Sequence, residues 1–156
     1  MNFEHLLVVN DPDNPLVAPL TREELWFGLL CRAEDSRPFL PGLEACTILS
    51  RSDTELVREL RFGSAVIRDR VTLQPMEWVR FDTERTDAHA GGSLTIGIEE
   101  PAPDTMVLRF HYRTTLTEQG VGDDVPYAEY VKSAYHQSDV DTLRVIRMIA
   151  ESGRIQ

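Results

Sequence analysis

The sequence predicts an α+β domain: one antiparallel sheet of about seven strands curled around a long C-terminal helix. Three observations carry this. Over the last thirty residues, from about Asp123 to Glu151, apolar residues recur with the period of a helix. From Glu44 to about residue 115 the period is two instead, in six short runs. The connections between those runs are too short for the crossovers that parallel strands need.

Composition sets the class. The 156 residues are 42% apolar and 27% charged, ordinary for a soluble globular protein, and make one domain over 1–156 with room for a core. A net charge of −10 argues against nucleic acid and against anionic membrane surfaces. No apolar run is long enough to span a bilayer, and Met1-Asn2-Phe3-Glu4-His5 lacks the character of a signal peptide, so a cytoplasmic protein is expected. Cys31 and Cys46 follow no metal spacing and read as free thiols. No pair of histidines or cysteines has ligand spacing, and no cofactor or metal is expected.

Residues 3–9 form the first candidate strand. Asn10 to Pro19, with three prolines, is a loop. Thr21 and Glu24 make a capping box, and Leu25, Trp26, Leu29, Leu30 and Ala33 form the apolar stripe of a helix ending near Asp35. Pro38 and Pro41 oppose its continuation. Strands follow at 44–51, 54–62, 65–73, 76–83, 93–100 and 105–115, and Thr117 to Asp124 leads into the last helix.

On that helix, Tyr127, Tyr130, Val131, Ala134, Tyr135, Ser138, Thr142, Val145, Ile146 and Ile149 are assigned to the inner side. Ala134, Ser138 and Thr142 are small, so a gap is expected at mid-helix. A tight contact with a facing strand explains the same pattern. The strand residues opposite are expected to be Leu56, Leu60, Val71, Ile96, Phe110 and Tyr112. Such a lining suits an apolar ligand with one polar end.

Several stretches together resemble the AtaL-like SRPBCC family. They are Leu20-Thr21-Arg22-Glu23-Glu24-Leu25-Trp26, Arg32-Ala33-Glu34-Asp35, Pro41-Gly42-Leu43-Glu44, Arg58-Glu59-Leu60-Arg61-Phe62-Gly63, Arg68-Asp69-Arg70-Val71 and His89-Ala90-Gly91-Gly92-Ser93-Leu94-Thr95. The resemblance covers nearly the whole chain. It implies the helix-grip fold of START and Bet v 1-like domains and an internal hydrophobic cavity. The family is largely of unknown function and lends no catalytic set. The fungal relative that names it belongs to a secondary-metabolite cluster, which points toward small molecules.

The hairpin over 54–73 has a two-residue turn at Gly63-Ser64. Counting outward, Phe62 faces Ala65, Leu60 faces Ile67, Arg58 faces Asp69 and Leu56 faces Val71. This face is mostly apolar, so Arg58 and Asp69 are placed on the concave side. Desolvating both charges is costly. They are either a polar anchor for a carboxylate or phenolate, or a strand-end pair partly in solvent or turned outward by a bulge. The Val79 and Phe81 alternation sends Arg80 outward. Tyr112 is expected inside, as a pocket donor or as a core tyrosine bonded to backbone. His5 can reach the interior but reads first as structural. His89 lies in a strand-to-strand loop, and His111 and His136 fall outside. Val140 and Leu143, on the polar side of the helix, are either scattered surface residues or part of a weak dimer contact, so a monomer or weak homodimer is expected.

The favoured expectation is a binder of a hydrophobic small molecule such as a lipid, polyketide or aromatic metabolite. The alternatives are a cavity enzyme of cyclase, dehydratase or isomerase type, with Asp69, Tyr112 and His5 as available acid–base groups, and a protein-interaction module. The enzyme reading lacks a paired acid and base.

Overall fold

The computed structural model describes residues 2–86, 91–114 and 124–155, with 124–128 and 155 as backbone only. His89, the 117–123 connection and the side chain of Tyr127 lie outside the described residues. The order is β1 (Asn2–Asn10), α1 (Arg22–Glu34), β2 (Ala45–Arg51), β3 (Glu55–Phe62), β4 (Ala65–Gln74), β5 (Trp78–Thr83), β6 (Gly92–Ala102), β7 (Thr105–Thr114) and α2 (Asp124–Ile155).

All seven strands form one antiparallel sheet in the order β1-β7-β6-β5-β4-β3-β2. β2 to β7 are a meander, and β1 joins its far side beside β7. The sheet is therefore open, with β1 and β2 as edges. This follows from the connections: tight turns force neighbours within the meander, while the stretch holding α1 is long enough to cross from one edge to the other.

The hairpin register is the one counted from Gly63-Ser64: Phe62 faces Ala65, Leu60 faces Ile67, Arg58 faces Asp69 and Leu56 faces Val71. Gly63 has φ 58, the left-handed conformation a two-residue turn needs. Expected boundaries move by a few residues at most, as where β6 runs over Gly92–Ala102 and α2 extends to Ile155, and one shift has a visible cause. β5 starts at Trp78, because Glu77 N–H bonds back to Gln74 O at 3.0 Å and Met76 takes φ 67, making a turn where a strand start was expected.

α1 begins as expected. Thr21 accepts from Glu24 N–H, Glu24 accepts from Thr21 N–H, and both distances are 3.0 Å. Its buried face is Leu25, Trp26, Gly28, Leu29, Arg32 and Ala33. Gly28 lets the two helices approach closely, since a Cβ there would stand 2.5 Å from Ile146 Cγ2. Arg147 donates to Ala18 O (2.7 Å) and Val9 O, and Arg154 donates to Pro19 O and forms an ion pair with Glu24. These bonds hold the C-terminal half of α2 against β1, the 11–19 loop and α1. The core runs beneath, through Leu25, Leu29, Leu56, Val71, Val79, Ile96, Leu108, Phe110 and Ile146.

The inner face of α2 differs from the expected one. Tyr130 is 70% exposed and Ala134 is also exposed, whereas Asp139, Thr142, Ile146 and Ala150 are buried. Leu143, expected on the polar side, packs partly buried against the core; Val140 is exposed. The buried stripe is centred on Asp139 and Ile146, and Ala134 stands roughly a third of a turn away. A hydropathy pattern cannot find this stripe, because its centre is a carboxylate that only tertiary hydrogen bonds make tolerable.

Candidate functional site

A cavity of about 310 Å³ lies between β3–β7, the C-terminal end of α1 and the earlier half of α2. Its apolar walls include Leu40, Leu60, Phe62, Ile67, Phe81 and Leu94. Polar groups converge from several elements: Arg32 from α1, Arg58 and Asp69 from β3 and β4, Tyr112 from β7 and Ser138 from α2.

Arg58 and Asp69 form a bidentate pair, Nε to Oδ1 at 2.8 Å and Nη2 to Oδ2 at 2.6 Å, with side chains 1% and 3% exposed. Arg58 Nη1 donates to Ala33 O (3.0 Å), Arg32 O (3.2 Å) and Ser36 Oγ (2.8 Å). It thus bonds carbonyls that the end of α1 leaves without intrahelical partners. All three guanidinium nitrogens are engaged within the protein.

Arg32 is different. Only 5% of the residue is exposed, its Nε is buried without a hydrogen-bond partner, and it enters no salt bridge with a described residue. Its guanidinium lies over the Phe81 ring, 4.5 Å from the centroid. Burial lowers its pKa, opposed by the charges of Tyr112, Asp139 and Asp69 and reinforced by Arg58.

The third feature is a chain of titratable groups behind the wall. Tyr112 donates from its hydroxyl to Asp139 Oδ1 at 2.5 Å, and His5 Nε2 lies 2.6 Å from Asp139 Oδ2. Asp139 is 0% exposed, and burial pushes its carboxyl up to about 7, held back by the Tyr112 hydrogen bond and the Arg32 charge. Burial, then Asp139, raises the Tyr112 phenol, while burial and nearby His136 lower His5. Tyr112 stacks on Tyr135 (4.4 Å between centroids) and Phe3 (5.1 Å), which fixes its ring.

A family model described as acetylaranotin biosynthesis cluster protein L, AtaL, matches residues 7–153. The chain belongs to the AtaL family. No curated protein matches it. Among solved structures it is similar to the Zhui aromatase/cyclase from a Streptomyces species: 18% identity, 100% of this chain and 96% of that one, TM-score 0.63. The di-domain aromatase/cyclase StfQ of the steffimycin biosynthetic pathway matches at 14% identity and TM-score 0.71; 99% of this chain is covered, but only 52% of StfQ. A START superfamily protein from Mycobacterium smegmatis matches at 13% identity and TM-score 0.58, covering 91% of this chain and 93% of that one. At these identities the likeness establishes the fold: a START and Bet v 1-like helix-grip.

Within this AtaL-family chain, five of the expected lining residues reach the cavity: Arg58, Leu60, Asp69, Tyr112 and Ser138. Leu56, Val71, Ile96, Phe110 and Thr142 are buried in the core away from its lining, and Ala134 faces outward. Strand alternation found the inner face but not where along it the space opens. Arg32, Phe81 and Asp139 were not expected at the site. Arg32 carried a signal, since it falls seven residues after Leu25 and three after Leu29, on the buried stripe of α1. Asp139 carried none, because its partners Tyr112 and His5 come from strands far away in sequence.

Arg80 points outward, as expected, and pairs with Asp82. His111 meets Asn2 on the outer face. No helix among the described residues is long and apolar enough to cross a membrane.

Proposed function

We propose that this protein binds a largely apolar small molecule, of the lipid, polyketide or aromatic-metabolite kind, in the cavity between sheet and α2. The single observation that carries this reading is the cavity itself, about 310 Å³ with mostly apolar walls and a few convergent polar groups. That is the ordinary form of a small-molecule site. Leu60, Ile67, Phe81 and Leu94 supply apolar contact, and Tyr112 and Ser138 supply hydroxyls. Arg58 and Asp69 serve as framework here, because they bond each other and the end of α1.

The test uses N-phenylnaphthylamine, a neutral apolar dye that brightens out of water. It should bind the folded protein at about one site. Ser138→Phe should fill the space and weaken dye binding while leaving stability nearly unchanged. A tightly packed site would instead lose roughly 1–3 kcal/mol to overpacking. Ser138→Phe losing that much, with a wild type that binds no dye, would refute the reading.

A second reading, catalysis on the bound molecule, is favoured by the Tyr112–Asp139–His5 chain. It places a phenol at the cavity wall, backed by a carboxyl that titrates near neutral pH. Such a chain supports an acid–base role for Asp139 and Tyr112, a pairing the sequence did not suggest. Native mass spectrometry of protein from its own host separates the two: an unaltered retained ligand favours binding, and a product of its turnover favours catalysis.

A further inference from the structure

We propose that Arg32 is an oxyanion site, and that the molecule held in the cavity carries an anionic oxygen group, such as a carboxylate, phenolate or enolate, beside a flat apolar body. The inference rests on the cavity-binding reading above and names its ligand class.

The geometry comes from one contrast. Two guanidinium groups, Arg32 and Arg58, line the same cavity, and the carboxylate that lines it with them, Asp69, is bonded to Arg58. Arg58 uses all three of its nitrogens within the protein. Arg32 has a buried Nε without a partner and no salt bridge among the described residues, yet it is 95% removed from solvent by its own 5% exposure. A buried cation is normally paired and hydrogen-bonded, because the protein interior stabilises it far less than water does. Phe81 stabilises one face of the Arg32 guanidinium through its ring but offers no hydrogen-bond acceptor. The edge of the plane remains for a ligand oxygen, and guanidinium edges match carboxylate geometry.

Specificity follows from the surroundings. The Asp139 carboxyl accepts from Tyr112 and lies against His5; its charge acts on Arg32 only through space, with no salt bridge between the two. The net charge of −10 makes the outer surface hostile to anions, so an anion gains from binding only where a buried cation awaits it. A flat apolar body suits the walls of Phe62, Phe81 and Leu94.

The experiment compares two dyes with the same ring system, anilinonaphthalene sulfonate and neutral N-phenylnaphthylamine, on the wild type and on Arg32→Met. Methionine keeps an apolar stem of similar length without charge. The wild type should prefer the sulfonate. Arg32→Met should weaken the sulfonate by about tenfold or more and leave the neutral dye unchanged or tighter. Equal losses for both dyes, or an unchanged sulfonate affinity, would overturn the assignment. Should Arg32→Met fail to fold, the wild-type preference decides, and equal affinity for the two dyes overturns it. A wild type that binds neither dye overturns the cavity reading as well. One that binds only the neutral dye keeps the cavity and removes the oxyanion site.

Discussion

Arg58 and Asp69 face each other on adjacent strands and join through two parallel hydrogen bonds, 2.8 and 2.6 Å, almost wholly out of solvent. The same guanidinium binds the end of α1 through Ala33 O and Ser36 Oγ. Removing one partner leaves a buried charge unpaired. Arg58→Ala should therefore cost roughly 3–5 kcal/mol in denaturant unfolding. Arg58→Met with Asp69→Leu should recover part of that loss, because no charge is left buried. Recovery should stop short of wild type, because the Ala33 carbonyl loses the Arg58 donor, while the Arg32 carbonyl keeps the Ser36 hydroxyl. Arg58→Ala within about 0.5 kcal/mol of wild type would contradict the burial of the pair.

Asp139 gives a pH signature. Its carboxyl titrates near 7 in the folded protein, because burial disfavours the charged form, against an ordinary value of 3.8. The folded state therefore holds this proton more tightly than the unfolded chain does. Asp139 contributes stability that is full below about pH 4 and is lost as pH rises through 7. His5 acts in the opposite sense: its lowered pKa withdraws stability as pH falls below about 6.5. Comparing wild type with Asp139→Asn isolates the carboxyl. The wild-type advantage should grow by a few kcal/mol from pH 7 to pH 4. A difference flat with pH would mean that Asp139 is charged throughout.

Thr142 is fully buried, its Oγ1 has no hydrogen-bond partner, and it stands outside the cavity lining. Thr142→Val exchanges that hydroxyl for a methyl of the same shape. It should stabilise by about 1 kcal/mol and leave dye affinity unchanged. Weaker dye binding would bring the hydroxyl into the site, and lower stability would show that it is satisfied.

The sequence by itself determined the architecture. Period-two alternation from Glu44, the Gly63-Ser64 turn and the Thr21–Glu24 capping box are local signals. A turn of fixed length sets which residues face each other however the rest folds, so the Arg58–Asp69 pairing was legible by counting. The family resemblance was legible for the same reason, as short motifs in order along the chain. Tertiary structure decided the rest. Which side of α2 is inner depends on a carboxyl, Asp139, bonded by Tyr112 and lying against His5, and no local pattern brings those three residues together. The tight crossing at Gly28 against Ile146 likewise exists only once two distant helices meet. Arg32 sat on a readable stripe, but a charge on an apolar stripe usually snorkels to solvent. Only the packed surroundings, with Arg58 claiming Asp69 and Phe81 covering one guanidinium face, keep this one inside and unpaired.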